Sequence, residues 1–297
     1  MTLQRITVLG SGTMGAGIAQ TAIQSGFETV LFDITDAITA KAAGGIRERM
    51  QRMVDKGKLD AAALDAAMQR LALSSNLEQA VSQADYVIEA IPENLTLKQD
   101  SFVRCELAAP AHCILGTNTS TIMISAIAEA LTDKTRLIGI HFFNPVPIMR
   151  LIEVVMGPQS SNRAFEATLE VARRMGKETV RVKESPGFTT SRINALIGNE
   201  AFRMLEEGVA CASDIDKALK LGLNHPMGPF EMVDLVGLDA RLNNVRSLHA
   251  ALGLESYRPP QLLERLVAEG RLGRKSGRGI YRYDSKGTLI PGSDELG

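Results

Sequence analysis

A chain of 297 residues, 45% hydrophobic and 23% charged, holds enough apolar material for a large core, and at about 150 residues per domain its length suggests two domains. Its formal net charge of −1 excludes the global basic field that draws proteins to nucleic acid or an anionic membrane. Cys105, Cys113 and Cys211 are odd in number and form no Cys-x-x-Cys pair, which argues against a disulfide framework or thiolate metal site and for a reducing, cytoplasmic setting. Cys113 stands in an apolar run, AHCILG, and reads as a small buried hydrophobe. No apolar run reaches the roughly 18 residues of a membrane span, and a strand pattern begins at Arg5, so no secretory leader is expected.

Residues 6–9 form a short β-branched run that ends in glycines. A helical pattern follows over 15–25, with Ile18, Ala19, Ala22 and Ile23 on one face, and residues 29–32 read as a second strand ending at Asp33. That order is a βαβ unit. Residues 37–71 read as one amphipathic helical stretch, broken near Lys56-Gly57-Lys58. Strands are expected at 85–91, 113–115, 137–141, 150–155 and 179–182, with helices at 95–108 and 162–175 between them. His112 is placed at the start of a strand and His249 in a helix, both in structural roles, and His225 in a loop, with a contact to substrate as its alternative. After Lys183 the texture changes. Ser185-Pro186-Gly187 breaks the pattern, and helices are expected at 192–207, 213–221, 228–235, 240–252 and 260–269, with only GIYRY extended. The expected organisation is an α/β domain over 1–184 with a mostly parallel sheet, and an all-α domain over 185–297.

Gly10-Ser11-Gly12-Thr13-Met14-Gly15 fits G-x-G-x-x-G in the context that gives the pattern meaning. It follows a strand and opens a helix, and Asp33 ends the next strand, 18 positions after Gly15. Gly10 permits the tight turn, Gly12 leaves the pyrophosphate unobstructed and Gly15 lets helix and strand pack closely. The helix N-terminus offers unpaired N–H groups to phosphate. Asp33 accepts from ribose hydroxyls and repels a 2′-phosphate, so a Rossmann-type domain that binds NAD rather than NADP is expected. Farther on, Arg47, Arg49, Arg52, Lys56 and Lys58 give a basic helix, read either as a solvated face or as a cradle for an anion.

His141 ends the apolar strand IGIH, and in an open parallel sheet the carboxyl ends of strands line the ligand crevice. Glu153 stands amid Leu, Ile and Val in the following strand, where a carboxylate is costly unless paired. Oxidation of an alcohol requires a base for the hydroxyl proton, and imidazole, with an ordinary pKa of about 6.5, suits it. Glu153 would fix the tautomer of His141; the spacing alone is equally compatible with a structural histidine. No His, Cys or carboxylate cluster has metal-ligand spacing, and no metal is expected.

The motifs VLGSGTMGAGIAQ, EAIPENLTLKQ, TNTST, GIHFFNPVPIMRLIEVV, ESPGF, GLNHPMGPFEMVDLVGLD and GRKSGRGIYRY run through almost the whole chain. In these the sequence resembles the L-3-hydroxyacyl-CoA dehydrogenases, especially the bacterial short-chain 3-hydroxybutyryl-CoA dehydrogenases. The resemblance implies an NAD domain followed by a helical domain for dimerisation and substrate, and thus a homodimer. It implies His141 and Glu153 as the catalytic pair and Ser120 beside them on the substrate. It implies Glu93, Lys98, Asn144 and Lys275 as cofactor contacts and Lys56 as a contact to coenzyme A. Arg49 stands where some members use serine for the same purpose, and is expected on the coenzyme A side with Lys56. The family commonly has PGF-x-x-Asn-Arg where this chain has Pro186-Gly-Phe-Thr-Thr-Ser191-Arg192, so Ser191 is expected to meet substrate with a hydroxyl in place of an amide. The reaction implied is reversible oxidation of an L-3-hydroxyacyl-CoA, short-chain such as 3-hydroxybutyryl-CoA, by NAD. The alternatives are a dicarboxylic thioester such as 3-hydroxyadipyl-CoA, met by Arg150 or Arg192, a non-CoA hydroxy acid, or a nonenzymatic NAD-binding protein.

Overall fold

The computed structural model describes residues 3–294. The chain divides into two compact units, Met1–Ser185 and Pro186–Gly297. In the first, β1 (Arg5–Leu9) runs through the glycine loop into α1 (Thr13–Gln24) and on to β2 (Glu28–Phe32). The two strands pair in parallel with Leu9 opposite Phe32. β4 (Tyr86–Glu89), β5 (Ile114–Thr117) and β6 (Leu137–Phe142) continue the parallel sheet on the other side of β1. Between them lie α2 (Asp36–Asp55), α3 (Ala61–Gln69), α4 (Leu77–Val81), α5 (Leu95–Ala108) and α6 (Ile124–Ala128). Local chemistry starts several of these helices: the side chains of Thr35, Asn76 and Asn94 accept from backbone N–H groups three residues on.

β3 is Leu71–Ser74, β7 is Leu151–Met156 and β8 is Glu178–Lys183, with α7 (Asn162–Arg174) before the last. Among the described residues the sheet has eight strands in the order β3-β2-β1-β4-β5-β6-β7-β8. All pairs are parallel except β6 with β7. The connection 143–150 is too short for the crossover of a dozen or more residues that a parallel partner requires, so the chain reverses. One core joins α1, α2, α3 and α7 to alternate residues of the central strands, among them Ile6, Val8, Tyr86, Ile88, Ile138 and Ile140.

Three local expectations are corrected. The helical stretch 37–71 breaks after Asp55, at the expected Lys56-Gly57-Lys58, but its end is not helical: Leu71–Ser74 adds to the sheet edge against β2, with Leu71 opposite Thr29. Four residues carry too little periodicity to declare a strand, and the pairing with β2 decides. The five-residue α4 and α6 were not anticipated. His112 lies in a turn before β5, where its Nε2 is 3.1 Å from Asp85. Cys113 is buried, as its apolar run suggested.

The second unit is helical: α8 (Thr190–Glu206), α9 (Ala212–Gly222), α10 (Pro229–Val236), α11 (Leu238–Leu252) and α12 (Gln261–Ala268). Phe202, Phe230, Val245, Tyr257, Leu263 and Ile280 form part of its core. Two buried carboxylates tie its end down. Asp216 accepts from Phe230 N, Glu231 N and the Tyr281 hydroxyl, and Asp234 accepts from Ile280 N, Tyr281 N and the Tyr283 hydroxyl. The terminal GIYRY stretch forms isolated β-bridges. Among the described residues no helix is long and apolar enough to cross a membrane.

Candidate active site

The glycine loop has the shape that a dinucleotide needs. Gly10 sits at φ +91°, and a Cβ there would lie 2.7 Å from Ala90 O. A Cβ on Gly15 would lie 1.8 Å from Gly10 O, so helix and loop meet backbone to backbone. A Cβ on Gly12 would meet nothing within 4 Å, which leaves open space at the N-cap of α1, where no side chain caps the helix. Open space beside unpaired N–H groups is what a pyrophosphate fills. Asp33 follows β2 directly. Its Oδ2 accepts from Ser11 N at 2.8 Å and Ser11 Oγ at 2.7 Å, and its Oδ1 from Ile34 N at 2.8 Å. Burial works against the charge, but these donors outweigh it and hold the Asp33 carboxyl below the usual range. The residues fit NAD, whose ribose would meet an ionised, oriented carboxylate.

His141 and Glu153 face one another across the antiparallel pair β6–β7. Directly opposed residues share a face of the sheet, and the reversal at 143–150 brings them together. His141 Nδ1 lies 2.7 Å from Glu153 Oε2, and Glu153 is fully buried. With the Nδ1 proton donated to the carboxylate, Nε2 carries the lone pair. Ser120 Oγ lies 3.0 Å from that Nε2. Phe143 packs against the imidazole with ring centroids 4.7 Å apart. Ser120 belongs to the turn 117–121 after β5, and Asn118 Oδ1 in that turn accepts from Phe142 N at 2.8 Å, joining it to β6 beside His141.

Glu93 and Lys98 also lie at this turn. Glu93 Oε1 accepts from Thr119 Oγ1 at 2.5 Å, Ser120 N at 3.1 Å, Thr121 N at 3.1 Å and Thr121 Oγ1 at 3.0 Å. Its Oε2 is 3.2 Å from Lys98 Nζ. Burial opposes this charge too, but the Lys98 ammonium and the threonine donors outweigh it and keep the Glu93 carboxyl below the usual range. Lys98 is buried and also reaches Glu89 Oε1 at 2.6 Å. Glu89, Thr119 and Ser11 were not singled out from sequence. Glu89 carried the signal that marked Glu153, a carboxylate in an apolar strand.

The remaining predicted residues lie farther out. Asn144 is exposed just past β6. Lys56, at the C-terminal end of α2, is exposed, as is Lys58. Arg49 is half-buried on α2, its Nε donates to Gln20 Oε1 on α1 at 2.9 Å, and its Nη2 is buried without a hydrogen-bond partner. Within the second unit, Ser191 is half-buried in the first turn of α8, and Lys275 pairs with Asp239 at 2.5 Å. Arg150 is an exposed partner of Glu178, and Arg192 Nε donates to the Tyr257 hydroxyl at 3.2 Å. Among the described residues no group of three or more His, Cys, Asp or Glu side chains could hold a metal.

Comparison with known proteins agrees with this chemistry. Residues 5–185 match the NAD-binding domain of 3-hydroxyacyl-CoA dehydrogenase, and residues 187–283 match the C-terminal domain of the same family. The chain is 40% identical over 286 residues to a probable 3-hydroxybutyryl-CoA dehydrogenase of Bacillus subtilis, covering 96% of this chain and 99% of that protein. It is 40% identical over 288 residues to the human mitochondrial hydroxyacyl-coenzyme A dehydrogenase, covering 95% and 91%. A crystal structure of (S)-3-hydroxybutyryl-CoA dehydrogenase from Ralstonia eutropha matches with a TM-score of 0.92 at 38% identity, over 96% of this chain and all of that one (100%). The chain belongs to the 3-hydroxyacyl-CoA dehydrogenase family and is an NAD-dependent enzyme of that activity.

Proposed function

We propose that the enzyme reversibly oxidises a short-chain L-3-hydroxyacyl-CoA, such as 3-hydroxybutyryl-CoA, to the 3-oxoacyl-CoA, with His141 as base. The observation that carries this reading is the line Glu153–His141–Ser120, with contacts of 2.7 and 3.0 Å on opposite nitrogens of one imidazole. The printed names of the Bacillus and Ralstonia relatives support the short acyl chain.

His141 Nε2 takes the proton of the substrate's C3 hydroxyl. Glu153 holds the other nitrogen as donor and stabilises the imidazolium that forms. Ser120 Oγ donates to the reacting oxygen and fixes it near Nε2. Bound NAD supplies the acceptor for the hydride that leaves C3. Gly10, Gly12 and Gly15 receive its pyrophosphate, and Asp33 binds the adenosine ribose through lone pairs not taken by Ser11 and Ile34. Glu93, Lys98, Asn144 and Lys275 are assigned to the cofactor and Ser191 to the substrate. The buried, unpaired Nη2 of Arg49, on the same helix as Lys56, supports the α2 face as the place for coenzyme A phosphates. Residues 185–297 serve substrate binding and homodimer formation, consistent with the exposed Ile193, Val209, Leu221 and Leu223 of the second unit. The reducing setting expected from the cysteines supports a cytoplasmic location.

The test is NADH oxidation with acetoacetyl-CoA, with longer and dicarboxylic 3-oxoacyl-CoAs, and with NADPH in place of NADH. The proposal expects the highest kcat/KM with acetoacetyl-CoA and NADH. A higher value with a dicarboxylic thioester would replace the short-chain assignment.

A further inference from the structure

We propose that Glu93 is a positioning residue that holds Ser120 in register with His141, with Thr119 as its partner and the buried Lys98–Glu89 pair as its foundation. The proposal rests on the assignment of Ser120 and His141 as the reacting pair.

Ser120 lies in a turn without regular structure, so its own backbone does not fix the direction of its hydroxyl. Catalytic groups must be held to within about 0.5 Å, and on loops that requires supporting hydrogen bonds. The turn supplies four donors, two backbone N–H groups and two threonine hydroxyls, and all four converge on one oxygen of Glu93. One of them is the backbone N–H of Ser120 itself. Charged acceptors make the stronger hydrogen bonds, about twice the strength of neutral ones.

The carboxylate is in turn held in place. Lys98 Nζ, 1% exposed at the side chain, lies between Glu93 Oε2 at 3.2 Å, Glu89 Oε1 at 2.6 Å and Ile91 O at 3.4 Å. Two of its protons go to Glu89 and Ile91 O, and it meets Glu93 Oε2 as an ion pair. Glu89 also anchors the start of the turn: its Oε2 accepts from Thr117 Oγ1 at 2.6 Å, and its backbone carbonyl accepts from Asn118 N at 2.8 Å. The turn is thus tied at its start to β4 and at its crest to the loop after β4. None of these groups belongs to the glycine loop, so loosening the clamp moves Ser120 and leaves the pyrophosphate and ribose sites intact.

A role for Glu93 confined to cofactor binding gives a different signature, which steady-state kinetics with acetoacetyl-CoA and NADH, alongside fluorescence titration of NADH, separates. Glu93→Gln and Thr119→Val are each expected to lower kcat about 10- to 100-fold, the effect of misplacing a catalytic group by about 1 Å. In Thr119→Val, which lies outside the residues assigned to the cofactor, the Kd for NADH stays within about twofold, and Thr119→Ser restores turnover. Because the two residues act through Ser120, Glu93→Gln combined with Ser120→Ala is no slower than Ser120→Ala alone within about twofold. Thr119→Val changes no charge and carries the test if Glu93→Gln does not fold. A tenfold weaker NADH Kd at unchanged kcat, or losses that multiply in the double variant, overturns the positioning role. Normal turnover in Glu93→Gln and Thr119→Val beside a crippled Ser120→Ala overturns the positioning role alone. Normal turnover in Ser120→Ala overturns the assignment of Ser120 and the positioning role with it.

Discussion

Glutamine at position 153 isolates the charge of the catalytic pair from its shape. It keeps the side-chain volume and an oxygen to accept the His141 Nδ1 proton. In the proposed reaction His141 gains a charge, which the Glu153 carboxylate meets across a 2.7 Å hydrogen bond in a fully buried position. With charge centres about 4 Å apart and an effective dielectric of about 20, that attraction is about 4 kcal/mol. Burial leaves little room for screening by salt. If most of it is felt only in the transition state, Glu153→Gln lowers kcat by about 10²- to 10³-fold, since each factor of ten in rate corresponds to about 1.4 kcal/mol. NADH binding is unchanged, because the glycine loop and Asp33 lie at β1 and β2. The assay is NADH oxidation at saturating acetoacetyl-CoA, with NADH affinity from fluorescence. A kcat within about threefold of the parent enzyme would refute the idea that Glu153 stabilises an imidazolium, since about 0.7 kcal/mol cannot represent a buried ion pair.

Asp33→Ala is expected to weaken NADH binding and narrow the preference over NADPH; an unchanged preference in paired titrations would remove Asp33 from the ribose. Ser11→Ala removes one of the donors that hold the Asp33 carboxyl below its ordinary pKa, and stability falls by about 1 kcal/mol at neutral pH, a charge-assisted bond discounted for exposure. A lowered folded pKa stabilises the protein above the unfolded value and loses that effect as pH falls through the folded value. The melting-temperature gap between Ser11→Ala and parent therefore closes as pH falls below the ordinary carboxylate range; a gap that stays constant through that acid range contradicts the Ser11–Asp33 bond as its source. Gly15→Ala would drive a Cβ to 1.8 Å from Gly10 O. It should destabilise the first unit by more than about 2 kcal/mol and abolish NADH binding, and a stable, NADH-binding variant would contradict the backbone contact. Burial pushes the Cys113 thiol up to about 12 and raises that of Cys105, so iodoacetamide at pH 8 should label only Cys211 in the native enzyme. Peptide mass mapping that finds native Cys113 alkylated would contradict its place in the core.

The sequence made the cofactor loop legible because its parts are contiguous: strand, glycines, helix and Asp33 lie within one βαβ unit. The expectation that Glu153 meets His141 followed from the cost of a lone carboxylate between Leu, Ile and Val, and the register of β6 on β7 shows the contact. The antiparallel sense of that pairing was not anticipated, although the short connection 143–150 required it. β3 was hidden because Leu71–Ser74 follows a helix directly and owes its strand form to β2. The clamp around Ser120 was out of reach for a different reason. Lys98 stands in a helix of mixed polarity, and the family resemblance gave it only a cofactor contact, yet it is buried between carboxylates from β4 and the loop that follows. Which oxygen each threonine meets depends on how the turn 117–121 folds over that loop, and no spacing in the sequence encodes it.

The central claim is that His141 moves the proton in a reaction that NAD drives. His141→Gln, assayed by stopped-flow oxidation of bound NADH on mixing with acetoacetyl-CoA, tests it most directly. The account predicts hydride transfer slowed by about 10²- to 10⁴-fold, the usual range for loss of a general acid–base, with NADH bound as tightly as in the parent enzyme. Hydride transfer at the parent rate in His141→Gln would contradict it.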